Sequence, residues 1–366
     1  MARLGDIATY INGYAFKPSD WSDNGLPIIR IQDLTGNSYQ ANRFNGKYDS
    51  KYEVYSGDVL ISWSASLGVY VWNGEKALLN QHIFKVVFDK VDVDKSFYIH
   101  QLESILEKAK GDAHGATMKH LTKPVFDTLP FYLPNKEEQI RIATELDKVC
   151  NLITFRKDQL NTLETLVKSR FIEMFSNKGF PDTTIGSLVA TKVPTAKKDF
   201  ALTDTIKYID ISSIDNKRNV MTGFTEYVLE DAPSRAQQHI QKNDIVVSTV
   251  RPNLKNVAIT SYDADNLVAS SGFCVLRAEK CLPSYLMAIV CSDDFTDAMT
   301  KVVTGANYPA IKDSDVKNYV IPLPPIDLQN QFAEFVEQTD KLKFEIKEAL
   351  EKLETLKKSL MQQYFG

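Results

Sequence analysis

The stretch STVRPNLKN, residues 248–256, gathers side chains that can bind a polyanion and read polar edges. It places Arg251, Asn253, Lys255 and Asn256 around a proline, with no acidic residue in the stretch. Arginine and lysine bind phosphate oxygens, and arginine, lysine, asparagine and glutamine make the hydrogen bonds that distinguish bases. The pattern favours a nucleic-acid contact. For any one of these residues, a solvated surface charge or a capping asparagine is the ordinary alternative.

Other polar and basic candidates lie in loops of both halves of the chain. In the first half they are Lys17, Arg30, Gln32, Arg43, Lys47, Lys51, Trp63, Ser64, Gln81, Lys119, His120 and Lys123. In the second half the secondary candidates are Arg218, Arg235, Tyr308 and Lys312. The loop SWSASLG, residues 62–68, carries no basic residue, so contacts there would have to come from backbone amides and hydroxyls. Trp63 could stack on or wedge between bases, but we favour a position in the hydrophobic core.

The sequence contains few signs of catalytic chemistry. It has no GxxxxGK[ST] phosphate loop and no NPPY-like methyltransferase tetrapeptide, and its four cysteines show no CxxC spacing. We therefore predict neither a catalytic nor a metal site, with a nuclease as the weaker enzymatic alternative. A signal peptide and a membrane-spanning run are also missing from the sequence, which favours the cytoplasm. The net charge of −4 counts mildly against nucleic acid, although a basic face can lie within an acidic total.

The chain contains an internal duplication. LGDIA (4–8), PIIRIQDL (27–34), GDVLIS (57–62), NQHIFKVVF (80–88), GATMKHL (115–121) and PNKEEQ (134–139) are matched in order by IGSLVA (185–190), KYIDISSI (207–214), NDIVVS (243–248), SSGFCVLRA (270–278), GANYPAI (305–311) and PPIDLQ (324–329). From Asn80 onward the offset is constant at 190 residues. Six matches in one order indicate a tandem repeat of about half the chain.

Two stretches without glycine or proline, 137–175 and 328–365, predict long helices. Their core-type positions recur at steps of four and three residues, the seam of a coiled coil. The seams are Ile142, Leu146, Val149, Ile153, Arg156, Leu160, Leu163, Val167, Arg170 and Met174, and then Phe332, Val336, Thr339, Lys343, Ile346, Leu350, Leu353, Lys357, Leu360 and Tyr364. Since neither seam is purely apolar, each helix needs a partner, and an intramolecular antiparallel pair is the economical arrangement. A simple helical hairpin or an intermolecular coiled coil is the alternative.

We therefore predict an α+β protein with two similar mixed α/β domains in a pseudo-two-fold arrangement, separated by two long helices that form an antiparallel coiled coil. The predicted boundaries are 1–134 for the first α/β domain, 135–178 for the first long helix, 179–324 for the second α/β domain and 325–366 for the second long helix. We call the α/β domains the first head and the second head. In each head, β-like runs precede a helix, near 96–108 and 283–301.

The repeated motifs resemble those of the specificity subunit of Type I restriction-modification enzymes. LGDIA, GDVLIS, GATMKHLTK, PNKEEQ and LVKSRF carry the resemblance in the first half, and PLPPIDLQNQF and LETLKKSLMQQYF carry it in the second. The resemblance covers essentially the whole chain. It implies two target-recognition domains that read the parts of a bipartite DNA site, with the helices as spacer. Because the heads have diverged, we expect the two half-sites to differ.

The resemblance also implies partners. These are double-stranded DNA, two modification subunits that bind S-adenosylmethionine and methylate adenine, and usually restriction subunits that act as motor and endonuclease. No cofactor is expected on this chain itself. The alternative is a two-headed coiled-coil scaffold that binds other proteins without DNA recognition. Salt-dependent binding to duplex DNA, strengthened by the modification subunit, would separate the two hypotheses.

Overall fold

The structure is a computed structural model that describes residues 1–36, 42–64, 66–111, 122–305 and 309–366. It divides into two compact units. The first unit consists of Met1–Lys157 and Glu348–Gly366, and the second of Asp158–Lys347. Each unit therefore contains one head and a portion of both long helices. No helix among the described residues is long and apolar enough to cross a membrane.

The first head is built from short strands and helices that lead into a long helix. The strands are β1 (Ala2–Arg3), β2 (Thr9–Asn12), β3 (Leu26–Ile29), β4 (Arg43–Phe44), β5 (Glu53–Val54), β6 (Val59–Ser62), β7 (Gly68–Val71), β8 (Ala77–Leu79), β9 (Ile83–Val87) and β10 (Pro130–Phe131). The helices are α1 (Leu4–Ile7), α2 (Ile31–Leu34), α3 (Lys95–Gly111), α4 (Lys123–Thr128) and the long α5 (Lys136–Phe175). The strands form sheets of order β4-β3-β8-β5 and β2-β9-β6-β7, and the pair β1-β10.

The second head follows the same plan. Its strands are β11 (Asp182–Thr184), β12 (Thr205–Ile209), β13 (Ile214–Asp215), β14 (Val220–Met221), β15 (Thr225–Val228), β16 (Ala236–His239), β17 (Ile245–Ser248), β18 (Val257–Ile259), β19 (Leu267–Ser270), β20 (Phe273–Leu276) and β21 (Val320–Pro322). Its helices are α6 (Ile185–Leu188), α7 (Ala196–Asp199), α8 (Pro283–Val290), α9 (Asp293–Lys301), α10 (Asp313–Lys317) and the long α11 (Ile326–Phe365). The sheets are β15-β12-β19-β16 and β18-β17-β20, with the pairs β13-β14 and β11-β21.

The duplicated sequence is thus a duplicated topology. In both heads, one four-stranded sheet has a parallel central pair, β3 with β8 and β12 with β19, and antiparallel neighbours on either side. In both heads a second sheet places the strand of the GDVLIS or NDIVVS motif beside the strand of the NQHIFKVVF or SSGFCVLRA motif. The predicted repeat is confirmed at the level of strand order.

The turn before the GDVLIS and NDIVVS strands shows why those residues recur. Gly57 and Asn243 have positive φ values of 94° and 72°, which glycine adopts freely and asparagine tolerates better than most residues. The next residue accepts a local backbone hydrogen bond in each case: Asp58 from the Tyr55 amide at 2.9 Å, and Asp244 from the Gln241 amide at 2.9 Å. The motif therefore specifies a tight turn into a buried strand.

The two long helices run antiparallel within each unit. In the first unit, Tyr364 donates to Glu145 at 2.6 Å and Lys157 lies 3.2 Å from Glu354, so residue numbers fall along α11 as they rise along α5. In the second unit, Phe171 packs against Phe332 with ring centroids 5.5 Å apart. All twenty predicted seam residues are buried or half-buried. The antiparallel arrangement and the predicted seam positions are confirmed.

One predicted helix is wrong in detail. The sequence predicted a single helix over 283–301, whereas the structure has α8 (Pro283–Val290) and α9 (Asp293–Lys301). The hydroxyl of Ser292 accepts a hydrogen bond from the Phe295 amide at 3.1 Å and caps a new helix. Asp293 and Asp294 in the first turn of α9 favour this start electrostatically.

Candidate nucleic-acid interface

The loop between β17 and β18, residues 249–256, has a backbone held in an unusual conformation. Arg251 and Lys255 both adopt left-handed backbone angles, with φ of 49° and 52°, on either side of the 3-10 turn Pro252–Leu254. Such angles cost non-glycine residues of the order of 1–3 kcal/mol each and are found where the surroundings impose them, often at functional sites. The loop is therefore a fixed structure rather than a pliable connection.

Two neighbouring segments fix this loop. From the β13–β14 hairpin, the side-chain Nδ2 of Asn216 donates to the Leu254 carbonyl at 2.8 Å, and that of Asn219 donates to the Lys255 carbonyl at 3.1 Å. On the other side, the Arg251 amide donates to the Pro309 carbonyl at 2.8 Å. The structure thus brings the STVRPNLKN stretch beside the hairpin of Arg218 and the end of the GANYPAI stretch.

The four candidates in the STVRPNLKN stretch have different surroundings. Arg251 and Asn253 are exposed. Lys255 forms an ion pair with Asp293 at the start of α9, so the absence of an acid within the stretch does not carry over to three dimensions. Asn256 is only 9% exposed and its carbonyl accepts from the Ser248 amide. Arg251 and Asn253 are therefore the side chains of this loop most available to a ligand.

The secondary candidates of the second head lie mostly at the surface. Arg218 is 66% exposed, with its Nε 3.8 Å from Asp215. Arg235 is exposed and directly precedes β16. Lys312 is exposed at the N-terminus of α10, where its amide donates to Asp315 at 2.7 Å. Tyr308 lies outside the described residues, as do Lys119 and His120 of the first head.

The equivalent loop of the first head, between β6 and β7, is anchored through its aromatic residue. The Trp63 ring stacks on Phe84 with centroids 5.6 Å apart, and its indole nitrogen donates to Asn12 at 3.2 Å. Trp63 thus packs towards the core, the alternative that the sequence favoured. Ser64 is 7% exposed. Gln81 is half-buried, and its amide donates to the Tyr14 carbonyl at 2.8 Å.

Most of the basic candidates that the structure describes in the first head already have partners within it. Arg43 donates to Glu75 at 3.0 Å, Lys51 lies 2.9 Å from Asp49, and Lys123 lies 2.7 Å from Asp127. The Arg30 guanidinium donates to Asn42 at 3.0 Å and lies over the Trp21 ring. Gln32 is half-buried on α2, whereas Lys17 and Lys47 are exposed. Among the described candidates, Lys17 and Lys47 are therefore the exposed cations of the first head for which no ion pair is seen.

The cysteines do not form a reactive site. All four are free thiols. Burial raises the pKa of Cys274 and Cys291 to about 12 and that of Cys281 to about 11, which keeps them protonated near neutral pH. Among the described residues, no group of three or more His, Cys, Asp or Glu side chains is placed to hold a metal ion.

A sequence profile of the Type I restriction modification DNA specificity domain matches the chain twice, over residues 1–165 and 180–358. The chain belongs to this family. It is a specificity subunit, the non-catalytic component that recognises DNA sequence. The two matches also follow the internal repeat, with one copy for each head.

Curated relatives of this specificity subunit match it over nearly its whole length. The Type I restriction enzyme EcoBI specificity subunit of Escherichia coli is 22% identical, with 99% of this chain and 84% of the relative covered. The MjaVIII specificity subunit of Methanocaldococcus jannaschii is 24% identical, with 99% of this chain and 90% of the relative covered.

Solved structures share the fold of this specificity subunit. The S subunit of a Type I restriction-modification system from M. genitalium has a TM-score of 0.56 at 14% identity, covering all of this chain and 95% of the other. A chain from a structural study of complex assembly and conformational transition in a Type I system has a TM-score of 0.53 at 15% identity, covering all of this chain and 96% of the other.

The sequence did not identify three residues that shape the second head's surface: Asn216, Asn219 and Asp293. The cluster DNKRN, residues 215–219, is a recognisable turn signal with two asparagines. That signal predicts a turn, but not that the turn is hydrogen-bonded to residues 38 and 36 positions further along the chain. Asp293 carried no such signal, because the sequence predicted one continuous helix over 283–301 rather than a helix that starts at this residue.

Proposed function

We propose that this specificity subunit recognises a bipartite, asymmetric DNA site, with one half-site contacted by each head. The supporting observation is that two heads of the same topology carry unlike groups at the same position. The loop after β6 has no basic side chain, whereas the loop after β17 has an exposed arginine and an exposed asparagine. Bases are recognised by their pattern of hydrogen-bond donors and acceptors. Two heads with the same fold but different loops are therefore suited to two different half-sites.

In the second head, Arg251 and Asn253 are proposed to contact bases or nearby phosphates. Both are exposed on a loop whose backbone is held from two sides, so little conformational entropy remains to be lost on binding. Arg218, Arg235 and Lys312 are proposed as phosphate contacts, because exposed cations neutralise DNA charge without reading sequence. In the first head we assign a larger share to backbone amides, hydroxyls and Gln81, together with the exposed Lys17 and Lys47.

The partners proposed are two modification subunits, which bind S-adenosylmethionine and methylate adenine, and restriction subunits that join them. The unread spacer between the half-sites is proposed to depend on α5 and α11. Each helix has 40 residues, or about 60 Å at 1.5 Å per residue. That length exceeds one turn of B-DNA, roughly 34–36 Å.

The decisive experiment is to purify the chain with the modification proteins encoded beside it and to map methylated adenines. We expect one motif made of two different specified parts with a fixed unspecified spacer. A continuous motif, or no motif, would overturn the proposal. Titration with duplex DNA at several salt concentrations tests the scaffold alternative, since a protein-binding scaffold would show no salt-dependent affinity for DNA.

A further inference from the structure

A buried glutamine joins each head to the first turn of a long helix. Gln139 and Gln329 are 2% and 1% exposed, and they are the last residues of the matched motifs PNKEEQ and PPIDLQ. The side-chain Oε1 of Gln139 accepts from the backbone amide of Asp94 at 2.8 Å, and the Oε1 of Gln329 accepts from the backbone amide of Leu282 at 2.9 Å. Both motifs belong to the internal repeat, but recognition of DNA does not by itself explain a buried glutamine at their ends.

The side-chain nitrogen of each glutamine makes a second hydrogen bond, and we call this pair of bonds the joint between head and long helix. The Gln139 Nε2 donates to the Pro134 carbonyl at 2.8 Å, and the Gln329 Nε2 donates to the Pro324 carbonyl at 2.9 Å. The bond that each glutamine accepts comes from the residue immediately before α3 or α8, and the bond that it donates goes to the proline two residues before the long helix. One side chain therefore ties the helix of the head to the entry of the long helix, with the same bonds in both copies.

The direction of these hydrogen bonds restricts movement between the head and its long helix more than the burial of the glutamine side chain does. An apolar side chain could fill the same space, but packing alone tolerates small rotations. Two opposed hydrogen bonds to backbone groups fix both distance and angle. A buried amide that lost either partner would carry an unpaired polar atom, so the joint resists opening. The next turn of each long helix adds a buried apolar contact, Ile142 in the first unit and Phe332 in the second.

We propose that Gln139 and Gln329 are positioning residues that fix each head on its long helix and thereby restrict the DNA spacer to one length. The inference rests on the proposed function, since it assumes two half-sites. One added base pair moves a half-site by about 3.4 Å and turns it by about a tenth of a helical turn. A joint that allowed such a movement would accept several spacers, whereas a joint fixed by two bonds rejects them.

The test uses the full specificity subunit with its modification subunits. Gln139→Met and Gln329→Met keep the side-chain length and remove both bonds. Methylation is measured on duplexes that carry the native half-sites with the native spacer, or with one base pair added or removed. We expect the preference for the native spacer to fall about threefold to tenfold, as the loss of one or two net hydrogen bonds implies. The preference for the native half-site sequences should persist.

A matched control and a second variant keep the result interpretable. Gln338→Met makes the same change at an exposed position of α11, and its spacer profile should equal that of the unchanged protein. If either methionine variant does not fold, Gln139→Glu or Gln329→Glu retains the acceptor but, when ionised, cannot donate to the proline carbonyl. Hydrogen exchange of the Asp94 and Leu282 amides reports directly whether the bond is broken.

Faster exchange at Asp94 or Leu282 with an unchanged spacer profile would overturn the proposal. So would a parallel loss of half-site and spacer preference, because that result indicates a general structural role. Failure of the proposed function is a different outcome: the unchanged complex would then methylate no bipartite motif at all.

Discussion

Arg251 combines an exposed guanidinium with a backbone that has been fixed in advance. Its left-handed φ of 49° is held by the hydrogen bond from its backbone amide to the Pro309 carbonyl and by the turn that follows. An arginine placed in this way loses less freedom on binding than one on a pliable loop. Residue by residue, it is the strongest candidate for sequence reading in the second head.

Replacing Arg251 tests whether this residue contacts DNA. We expect Arg251→Ala to weaken DNA binding by about 1–3 kcal/mol and, if the guanidinium contacts a base, to relax specificity at that base pair. Lys255→Ala is the matched comparison in the same loop. Its effect should be smaller because the ammonium group is paired with Asp293. Fluorescence anisotropy with native and single-mismatch duplexes gives both quantities, and equal affinity and base preference in Arg251→Ala would remove this loop from the reading surface.

A second residue-scale feature is a buried ion pair between Asp244, which directly precedes β17, and Arg277, which directly follows β20. Arg277 donates to both carboxylate oxygens of Asp244 at 2.9 and 2.7 Å, and the Asp244 side chain is 2% exposed. These hydrogen bonds raise the pKa of Arg277. The first head has Val87 at the position 190 residues earlier, so this charge pair is a difference between the two heads.

Removing Arg277 should destabilise the protein strongly. Arg277→Ala leaves a buried carboxylate without its counter-charge, which typically costs about 3–5 kcal/mol. Arg218→Ala is the control, because its pair with Asp215 is exposed and such pairs contribute about 0–1 kcal/mol. Urea unfolding measures both. Addition of Asp244→Asn to Arg277→Ala should recover part of the loss, and no recovery would argue against the charge as the cause.

At the scale of elements, the long helices carry polar residues within an otherwise apolar seam. Thr339 is 3% exposed and its hydroxyl bonds back to the Phe335 carbonyl at 2.8 Å. Lys357 is half-buried, 3.4 Å from Glu103 of α3. Polar seam positions reduce stability but limit the registers in which two helices can pair. The seam therefore favours one alignment of α5 with α11.

Leucine truncation on α5 tests the seam. Leu146 is fully buried in the core of the first unit, whereas Leu152 on the same helix is 46% exposed. Leu146→Ala should cost about 2–5 kcal/mol through lost burial and a residual cavity. Leu152→Ala should stay within about 0.5 kcal/mol of the unchanged protein. Chemical denaturation distinguishes them, and similar losses in both variants would contradict the predicted seam.

At the scale of the whole molecule, the relevant property is that two like frameworks have diverged within one chain. A homodimer of identical heads must read two identical half-sites, whereas a fused pair is free to read two different ones. The boundaries of the heads are equivalent, since α5 and α11 begin two residues after 134 and 324. Because the two heads join their long helices at equivalent positions, we expect that one head can be grafted in place of the other.

A graft of the second head, residues 179–324, in place of residues 1–134 tests this property. The complex should methylate a site whose two half-sites are both the one previously assigned to the second head. Mapping of methylated adenines reads the result directly. An unchanged asymmetric motif would show that the heads do not carry the specificity, and the reciprocal graft of the first head is the control.

Much of the fold was predictable from local patterns. Repeated motifs at a constant offset required two similar domains, because like sequences bury like apolar patterns. The steps of four and three residues along α5 and α11 determined the seam, because helical periodicity alone decides which face is apolar. By contrast, the break before α9 depended on a single capping serine, which periodicity does not detect.

The composition of the candidate surface was decided by tertiary structure. The sequence by itself located Arg251 and its neighbours in a loop with no acid between residues 248 and 256. Only folding brought Asp293 onto Lys255, buried Asn256 and turned Trp63 onto Phe84. Folding also brought Asn216 and Asn219 into hydrogen-bond contact with the loop, and it brought a buried glutamine of each long helix into hydrogen-bond contact with its head. These contacts join residues far apart in the chain, and their partners depend on strand order and packing rather than on any local preference.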